Sequence, residues 1–285
     1  MEENKISLEQ PSESTTQKPK PKWSLREIFT KKVLPTPPTV VFKKMPEDAE
    51  IKETYLVQPP YSKVTVASLP ELGGANVYHI EEAEIADKER EILQKLTDII
   101  SKEIDPPKGD VDPETHIENE AKRLAEKYGY SKKLEPDSWS SIAYCLKRDL
   151  IGFGPIHVIM KDRMIEDLSV NGVGIPVYVW HRKYESMPTN LIFIDEEALD
   201  SLIIKLTHLA HKHISTAFPV LDAMLPGKDR VAATFKREVS PKGGSFTIRR
   251  FREEPFSVID LIELGTIDEA IAAYFWLLIE NRMTI

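Results

Sequence analysis

Short runs of alternating apolar and polar residues, interrupted by glycine, proline and asparagine, place the strongest constraint on how this 285-residue chain can fold. They dominate residues 165–251, where the runs at 165–170, 177–180 and 190–194 have the two-residue period of half-buried strands. Residues 196–211 instead repeat their apolar positions at helical spacing, after an aspartate suited to an N-cap. The pattern predicts a mixed or antiparallel sheet backed by helices, which is an α+β fold. Tyr178 and Trp180, which lie in one of these strands, are expected to belong to the core.

Two further predicted strands in this region carry arginine. Arg230 lies in the first, at residues 221–235, and Arg249 and Arg250 lie in the second, at residues 243–251. A guanidinium among apolar strand residues is costly unless an anion meets it, and its fixed fork suits phosphate. From spacing alone, the more ordinary interpretation is that these arginines are solvated strand residues. Because successive strand residues point to opposite faces, we expect Arg250 to face away from Arg249.

Residues 51–150 are predicted to form a small β unit followed by three helices. The β-prone runs end at Pro-Pro and Gly-Gly breaks, and the later segments repeat apolar residues at helical spacing. Three helices in series form a bundle or a single helical layer. The predicted strands are residues 55–57, 63–67 and 76–80, and the predicted helices are residues 86–104, 113–128 and 137–149.

The first fifty residues differ from the rest of the chain. Residues 1–22 are too polar to bury an apolar surface, and we expect residues 1–50 to form a disordered, basic tail. Within this tail, residues 23–34 combine an apolar helical stripe with flanking lysine and arginine. Such a segment can lie on an anionic membrane or in a partner's groove, or it can dock on its own domain.

Composition excludes several classes of protein. A formal net charge of −8 argues against a nucleic-acid binder. Cys145 is the single cysteine, so no intrachain disulfide can form, and its apolar helical surroundings predict a buried thiol. His208 and His211 lack nearby carboxylates or cysteines at ligand spacing, so no metal site is predicted. The polar N-terminus and an apolar run at 270–279 too short to cross a bilayer predict a cytoplasmic polypeptide.

Four ordered sequence blocks carry a resemblance to a known family. They read Ile-Glu-Asp-Leu-Ser-Val-Asn-Gly, Ile-Pro-Val-Tyr-Val-Trp-His, Leu-Asp-Ala-Met-Leu-Pro-Gly-Lys-Asp-Arg-Val and Phe-Thr-Ile-Arg-Arg-Phe, at residues 165–172, 175–181, 221–231 and 246–251. Together they resemble the N-terminal domain of the archaeal type II/type IV secretion ATPases, which include the motor ATPases of type IV pili and the archaellum. The resemblance is dense over residues 144–285 and looser over residues 55–100.

The resemblance implies a PAS-like N-terminal domain in a homohexamer, with ATP and Mg bound mainly by a C-terminal RecA-like domain. By motif, it implies that Arg249 and Arg230 act on the ATP phosphates as catalytic residues, with Arg250 as a weaker phosphate ligand. It also implies a polytopic membrane platform protein and cytoplasmic accessory proteins as partners. Peripheral contact with the inner face of the membrane would involve residues 18–34, and no nucleic-acid partner is expected.

The chain departs from the family pattern because it contains no Gly-x-x-x-x-Gly-Lys-Ser/Thr loop. Gly227-Lys228 is followed by Asp229 and precedes a strand, so it does not qualify. The expected organisation is therefore a tail (1–50), a β and helical region (51–150), a sheet domain (151–255) and a linker (256–285) truncated before the Walker A motif. Such a fragment should not hydrolyse ATP. The alternative is a stand-alone α+β protein-interaction module without ATPase activity.

Overall fold

The computed structural model describes residues 40–83, 85–104, 112–131, 134, 136–252 and 255–284. The predicted amphipathic segment 23–34 and most of the predicted tail lie outside the described residues. The strands are β1 (Val40–Phe42), β2 (Glu50–Gln58), β3 (Ser62–Leu69), β4 (Ala75–Glu82), β5 (Ile165–Val170), β6 (Pro176–His181), β7 (Glu185–Phe193), β8 (Val220–Met224), β9 (Arg230–Thr234) and β10 (Ser245–Arg249). The α-helices are α1 (Asp87–Glu103), α2 (Pro113–Lys127), α3 (Pro136–Leu150), α4 (His157–Lys161), α5 (Glu196–Leu209), α6 (Val258–Glu263) and α7 (Glu269–Glu280).

The ten described strands form one mixed sheet in the order β2-β3-β4-β7-β6-β5-β10-β9-β8, with β1 also pairing with β7. Every pairing is antiparallel except that of β4 with β7, which is parallel and is registered through Tyr78 and Thr189. The small β unit predicted in residues 51–150 therefore continues the sheet formed by residues 165–249. The α+β class is confirmed, whereas the division of the chain into four domains stays a prediction.

Asn190 fastens the junction between the two parts of the sheet. Its side-chain amide donates hydrogen bonds to the backbone carbonyls of Ile80, at 3.0 Å, and Lys43, at 3.1 Å. Its side-chain oxygen accepts from the backbone N–H of Ile80 at 2.9 Å. Asn190 is only 5% exposed, so its polar atoms need partners within the protein. Its side chain supplies hydrogen bonds at a junction where β4 and β7 share only one registered residue pair.

The described residues form two hydrophobic cores. The larger core packs α4 and α5 against one face of the sheet, and residues such as Ile203, Leu206, Val231 and Ile248 are fully buried in it. The smaller core lies among α1, α2 and α3, which pack against one another through residues such as Leu96, Leu124 and Ile142. Cys145 is buried, as predicted. The expected helical layer and helix-backed sheet are both present.

Residues 221–235 were expected to form one strand, and this prediction is wrong. They form a hairpin, β8–β9, whose turn is closed by the Leu225 N–H donating to the Asp229 carbonyl at 2.7 Å. Gly227 and Lys228 have φ angles of 100° and 72°, so the chain reverses through the left-handed region there. The Pro226-Gly227 pair is the turn signal that a single-strand interpretation overlooks.

Candidate functional site: an arginine pair on the open face of the sheet

Arg230 and Arg249 are direct cross-strand neighbours. The register of β9 and β10 places Arg230 opposite Arg249, and the register of β10 and β5 places Arg249 opposite Asp167. The intervening Val231 and Ile248 are fully buried, so strand alternation sends both arginines to the opposite, open face of the sheet. The structure thus brings together the two arginines that the resemblance selects.

Arg230 is held by a carboxylate from the same hairpin. Its Nε and Nη2 atoms donate to the Asp222 Oδ1 and Oδ2 atoms at 3.0 Å and 2.7 Å, which makes a bidentate pair. These hydrogen bonds lower the pKa of Asp222 and raise the pKa of Arg230. The Arg230 side chain is still 67% exposed, so the pair lies in water rather than in the core.

Arg249 is held less firmly. Its Nε donates to the Asp167 Oδ1 atom at 3.2 Å, and its side chain is 79% exposed. On the next exposed positions of the same strands, the hydroxyls of Thr247 and Ser169 lie 3.2 Å apart. Residues directly opposite in an antiparallel pair have Cα atoms about 4.5–5.5 Å apart, so Arg230 and Arg249 start from neighbouring backbone positions. Each guanidinium turns outward to its own carboxylate, that of Arg230 to Asp222 on β8 and that of Arg249 to Asp167 on β5.

Arg250 faces the other way, as strand alternation predicts. Its side chain is 20% exposed, and its Nε lies 3.2 Å from the Asp229 Oδ2 atom, in an ion pair that lacks the geometry of a hydrogen bond. Its Nη1 donates to the backbone carbonyls of Ile159, at 3.4 Å, and Asp162, at 3.3 Å. The structure therefore separates Arg250 from the Arg230–Arg249 pair and surrounds it with protein groups.

Tyr178 and Trp180 extend the same open face, and the sequence-based expectation that they belong to the core is wrong. They are 38% and 46% exposed, while their strand neighbours Val177 and Val179 are buried. Register places Tyr178 beside Ser169 and Trp180 beside Asp167. The alternation of residues 177–180 correctly predicts that Tyr178 and Trp180 lie on the face opposite Val177 and Val179. Their large aromatic side chains favoured a place in the core instead.

A second polar cluster lies inside the fold, around Asp162 after α4. The hydroxyls of Tyr55 and Tyr78 each donate to the Asp162 Oδ2 atom at 2.7 Å, and the Met164 N–H donates to Oδ1 at 2.8 Å. Burial and the Asp162 carboxylate raise the pKa of Tyr55 and Tyr78, and burial lowers the pKa of His181, whose Nε2 lies 3.3 Å from the Tyr55 hydroxyl. Both Asp162 oxygens are occupied, so this cluster ties β2 and β4 to α4.

Sequence inspection missed the Asp162 cluster because its members are far apart in the chain. Tyr55 and Tyr78 precede Asp162 by 107 and 84 residues, and no local spacing connects them.

Among the described residues, His, Cys, Asp and Glu nowhere gather in a group of three or more that could hold a metal ion. In the same part of the chain, the helices are all too short or too polar to cross a bilayer.

Comparison with known proteins gives relatives from one archaeon and a partial structural neighbour. No family model matches the chain. Three uncharacterized proteins of Methanocaldococcus jannaschii are similar to it: one is 39% identical over 153 residues, covering 54% of this chain and 28% of that protein. The second is 38% identical over 128 residues, covering 45% of this chain and 18% of that protein. The third is 44% identical over 99 residues, covering 35% of this chain and 39% of that protein.

The chain therefore spans well under half the length of each of these relatives. Among solved structures, it is similar to the VirB11 ATPase from the Brucella suis type IV secretion system in complex with sulphate. That similarity has a TM-score of 0.31 and 25% sequence identity, and it covers 38% of this chain and 33% of the VirB11 chain.

Proposed function

We propose that this chain is the N-terminal domain of a secretion or pilus motor ATPase and that it supplies Arg230 and Arg249 to the phosphates of bound ATP. The proposal starts from the four sequence blocks that resemble the archaeal secretion ATPases. The observation that carries it is the cross-strand pairing of Arg230 with Arg249 on the open face of the sheet. ATP and Mg would be held mainly by a RecA-like domain of a longer protein.

Phosphoryl transfer spreads negative charge over the transferred phosphoryl group, so catalysis depends on positioned positive charge. Two guanidinium groups on neighbouring strands, on the same face of the sheet, offer such charge. Both are largely exposed, so a phosphate carried by another domain can approach them. Rigid strands position side chains more precisely than loops do, which suits a catalytic contribution.

The carboxylates beside the arginines do not prevent this role. Exposed ion pairs contribute only about 0–1 kcal/mol each, so a polyphosphate can displace them at little cost. Arg249 makes a single 3.2 Å hydrogen bond to Asp167, whereas Arg230 is held at two points by Asp222. We therefore assign Arg249 to the reacting phosphate, with Arg230 supporting it from the neighbouring strand.

Helix α7 gives a second line of support to the proposal, because its apolar side chains are exposed. Within the described residues 255–284, no residue is buried, although α7 consists largely of apolar residues. Trp276 and Ile279 are 74% and 66% exposed. A helix that is apolar around most of its circumference is stable in water only when another polypeptide surface covers it. In our proposal the RecA-like domain of the longer protein provides that cover.

The proposed setting is a homohexamer at the cytoplasmic face of the membrane, acting with a polytopic platform protein and cytoplasmic accessory proteins. The work done would be assembly of a pilus or archaellum, or protein secretion. Residues 18–34 would provide peripheral membrane contact. This setting rests on the sequence resemblance.

The alternative function, a stand-alone protein-interaction module, is favoured by a different observation. Tyr178 and Trp180 make the open face partly aromatic, and aromatic residues and arginine are enriched at protein interfaces. The two functions differ in one measurable respect, because only the first makes Arg249 necessary for ATP turnover.

The test uses the longer protein that contains this chain together with a nucleotide-binding domain. Arg249→Ala should lower the rate of ATP turnover by about 10³, the scale of an inserted arginine in phosphoryl transfer. Arg249→Lys should recover little, because a lysine lacks the bidentate fork. Arg230→Ala should show a loss of the same kind, and the double variant should lose less than the product of the two single effects.

Arg237→Ala is the matched control. Arg237 is also exposed and also pairs with a carboxylate, Glu196, but it lies outside β9 and β10. Its turnover should stay at the wild-type rate. Wild-type turnover in Arg249→Ala would reject the proposed function and leave the interaction module.

The 285-residue chain alone should neither hydrolyse ATP nor bind it tightly, because it lacks the loop that holds the β- and γ-phosphates. Micromolar binding measured by titration calorimetry would contradict this expectation.

A further inference from the structure

We infer that Asp229 and Arg250 form a clamp that positions the Arg230–Arg249 pair, so that Arg250 is a positioning residue and not a phosphate ligand. This inference rests on the proposed function for its catalytic consequence. The clamp itself is defined by contacts within the described chain: Asp229 directly precedes Arg230, and Arg250 directly follows Arg249.

Both arginines of the pair stand at the ends of their strands. Strand β9 begins at Arg230 and β10 ends at Arg249, so their pairing is the last of the β9–β10 register. Ladder ends fray because their last backbone bonds are exposed to water. Two exposed side chains at such an end keep a fixed separation only when something beyond the ladder holds the backbone.

The Asp229 carboxylate supplies that hold. Its Oδ1 atom accepts a hydrogen bond from the Phe251 N–H at 2.7 Å, and its Oδ2 atom lies 3.2 Å from the Nε of Arg250. The Asp229 backbone carbonyl accepts from the Leu225 N–H at 2.7 Å, which closes the β8–β9 turn. One residue therefore joins the turn before Arg230 to the chain after Arg249.

Arg250 connects this clamp to the rest of the fold. Its Nη1 atom donates to the carbonyls of Ile159 and Asp162, at the C-terminal end of α4, and its backbone N–H donates to the Glu166 carbonyl at 2.8 Å. A cation is favourable at a helix C-terminus, where carbonyl groups are left without partners. Asp162 is in turn fixed by the hydroxyls of Tyr55 and Tyr78.

Burial separates the clamp from the pair that it positions. The side chains of Arg250 and Asp229 are 20% and 11% exposed, against 79% and 67% for Arg249 and Arg230. Because Arg250 points to the opposite face of the sheet, it cannot reach a phosphate that lies on the Arg249 side. Arg250 therefore acts by holding the backbone that carries Arg249. A small displacement of a catalytic group lowers the reaction rate.

The first experiment measures position in the 285-residue chain. Asp229→Asn preserves shape but removes the charge that faces Arg250, and Arg250→Lys preserves charge but removes the fork. We expect both variants to speed amide hydrogen exchange at Leu225 and Arg250 by at least about tenfold, with exchange at Ile248 unchanged, as in local unfolding. The matched control, Arg237→Lys, should leave all three amides at wild-type rates. Unchanged exchange at Leu225 and Arg250 in both variants would overturn the clamp.

The second experiment measures ATP turnover in the longer protein. Asp229→Asn and Arg250→Lys should lower kcat by roughly 10-fold to 100-fold while KM stays within about twofold, because misplacement acts on the transition state. If kcat is unchanged while Arg249→Ala still abolishes turnover, the positioning role is wrong and the proposed function stands. If Arg249→Ala itself retains wild-type turnover, the proposed function fails, and the exchange measurement alone decides whether the clamp exists.

Discussion

Two arginine–carboxylate clusters in this molecule use the same pairing chemistry in opposite environments. Arg148, near the end of α3, pairs with Glu82 of β4 and with Asp149, and the side chains of Arg148 and Glu82 are 19% and 12% exposed. Arg230 and Arg249 pair with Asp222 and Asp167 on the open face of the sheet, where the arginines are mostly exposed. The first cluster joins the helical layer to the sheet, whereas the second joins only neighbouring strands.

The difference shows which charges are available for function. A buried charge has lost its hydration and depends on its partner, so the Arg148 cluster is committed to holding the fold. Burial raises the pKa of Glu82, while Arg148 and Tyr144 draw it the other way, which indicates a carboxylate that needs those partners to stay ionised. An exposed arginine remains hydrated and can exchange its carboxylate for an incoming anion.

The largest effect on stability that the comparison predicts is at Arg148. Arg148→Met should lower the free energy of unfolding by about 3–5 kcal/mol, because it leaves the Glu82 carboxylate buried without the cation that it pairs with. The double variant Arg148→Met with Glu82→Gln should recover part of that loss. Denaturant unfolding of the 285-residue chain measures the free energy of unfolding of the wild type, the single variant and the double variant. A loss at Arg148 below about 1 kcal/mol, the range of exposed pairs, would remove the distinction between the clusters.

The sequence predicted those parts of the fold that depend on local periodicity. Residues 86–104 and 196–211 were recognised as helices from the spacing of their apolar positions, and α1 and α5 occupy nearly those spans. The strand that carries Arg249 and the opposite orientation of Arg250 followed from alternation. These features depend on residues close together in the chain, and the neighbouring side chains are enough to specify them.

Features that depend on distant pairing were not predictable in this way. The continuation of the sheet from β4 into β7 depends on Tyr78 meeting Thr189, and no local pattern encodes that choice. The clamp depends on the β8–β9 turn, which brings Asp229 to Phe251 across 22 residues. Motif resemblance selected Arg230 and Arg249, but only the register of two strands places them side by side.

A second, smaller effect on the free energy of unfolding should come from His157 when the pH is lowered. Burial, with Lys161 and Arg148 nearby, lowers the pKa of His157 from 6.5 to about 4. The unfolded state therefore binds more protons between these two values, so the contribution of His157 to stability is complete above pH 6.5 and is lost as pH falls towards 4. A shift of this size corresponds to about 3 kcal/mol.

His157→Asn tests this expectation, because the amide oxygen of asparagine can replace the His157 Nδ1 atom as the acceptor for the Phe153 N–H. The free energy of unfolding of this variant should fall less than that of the wild type between pH 7 and pH 4.5. The exposed His208 provides the matched control, and His208→Asn should follow the wild-type pH dependence. Parallel curves for His157→Asn and the wild type would show that His157 is not held neutral by the fold.

The smallest effect should be at Arg249, and it makes the comparison sharpest. Arg249→Ala removes an exposed pair, so the free energy of unfolding should change by less than about 1 kcal/mol, and added salt should shrink that change further. Arg182→Ala is a matched control, because Arg182 and Glu166 form another partly exposed pair on the same sheet, at 3.4 Å. Combined with a large loss of ATP turnover in the longer protein, near-native stability would show that Arg249 is dispensable for folding and free to act on a ligand. A loss of several kcal/mol at Arg249, absent at Arg182, would instead make Arg249 a structural residue like Arg148, and the contrast between the two clusters would fail.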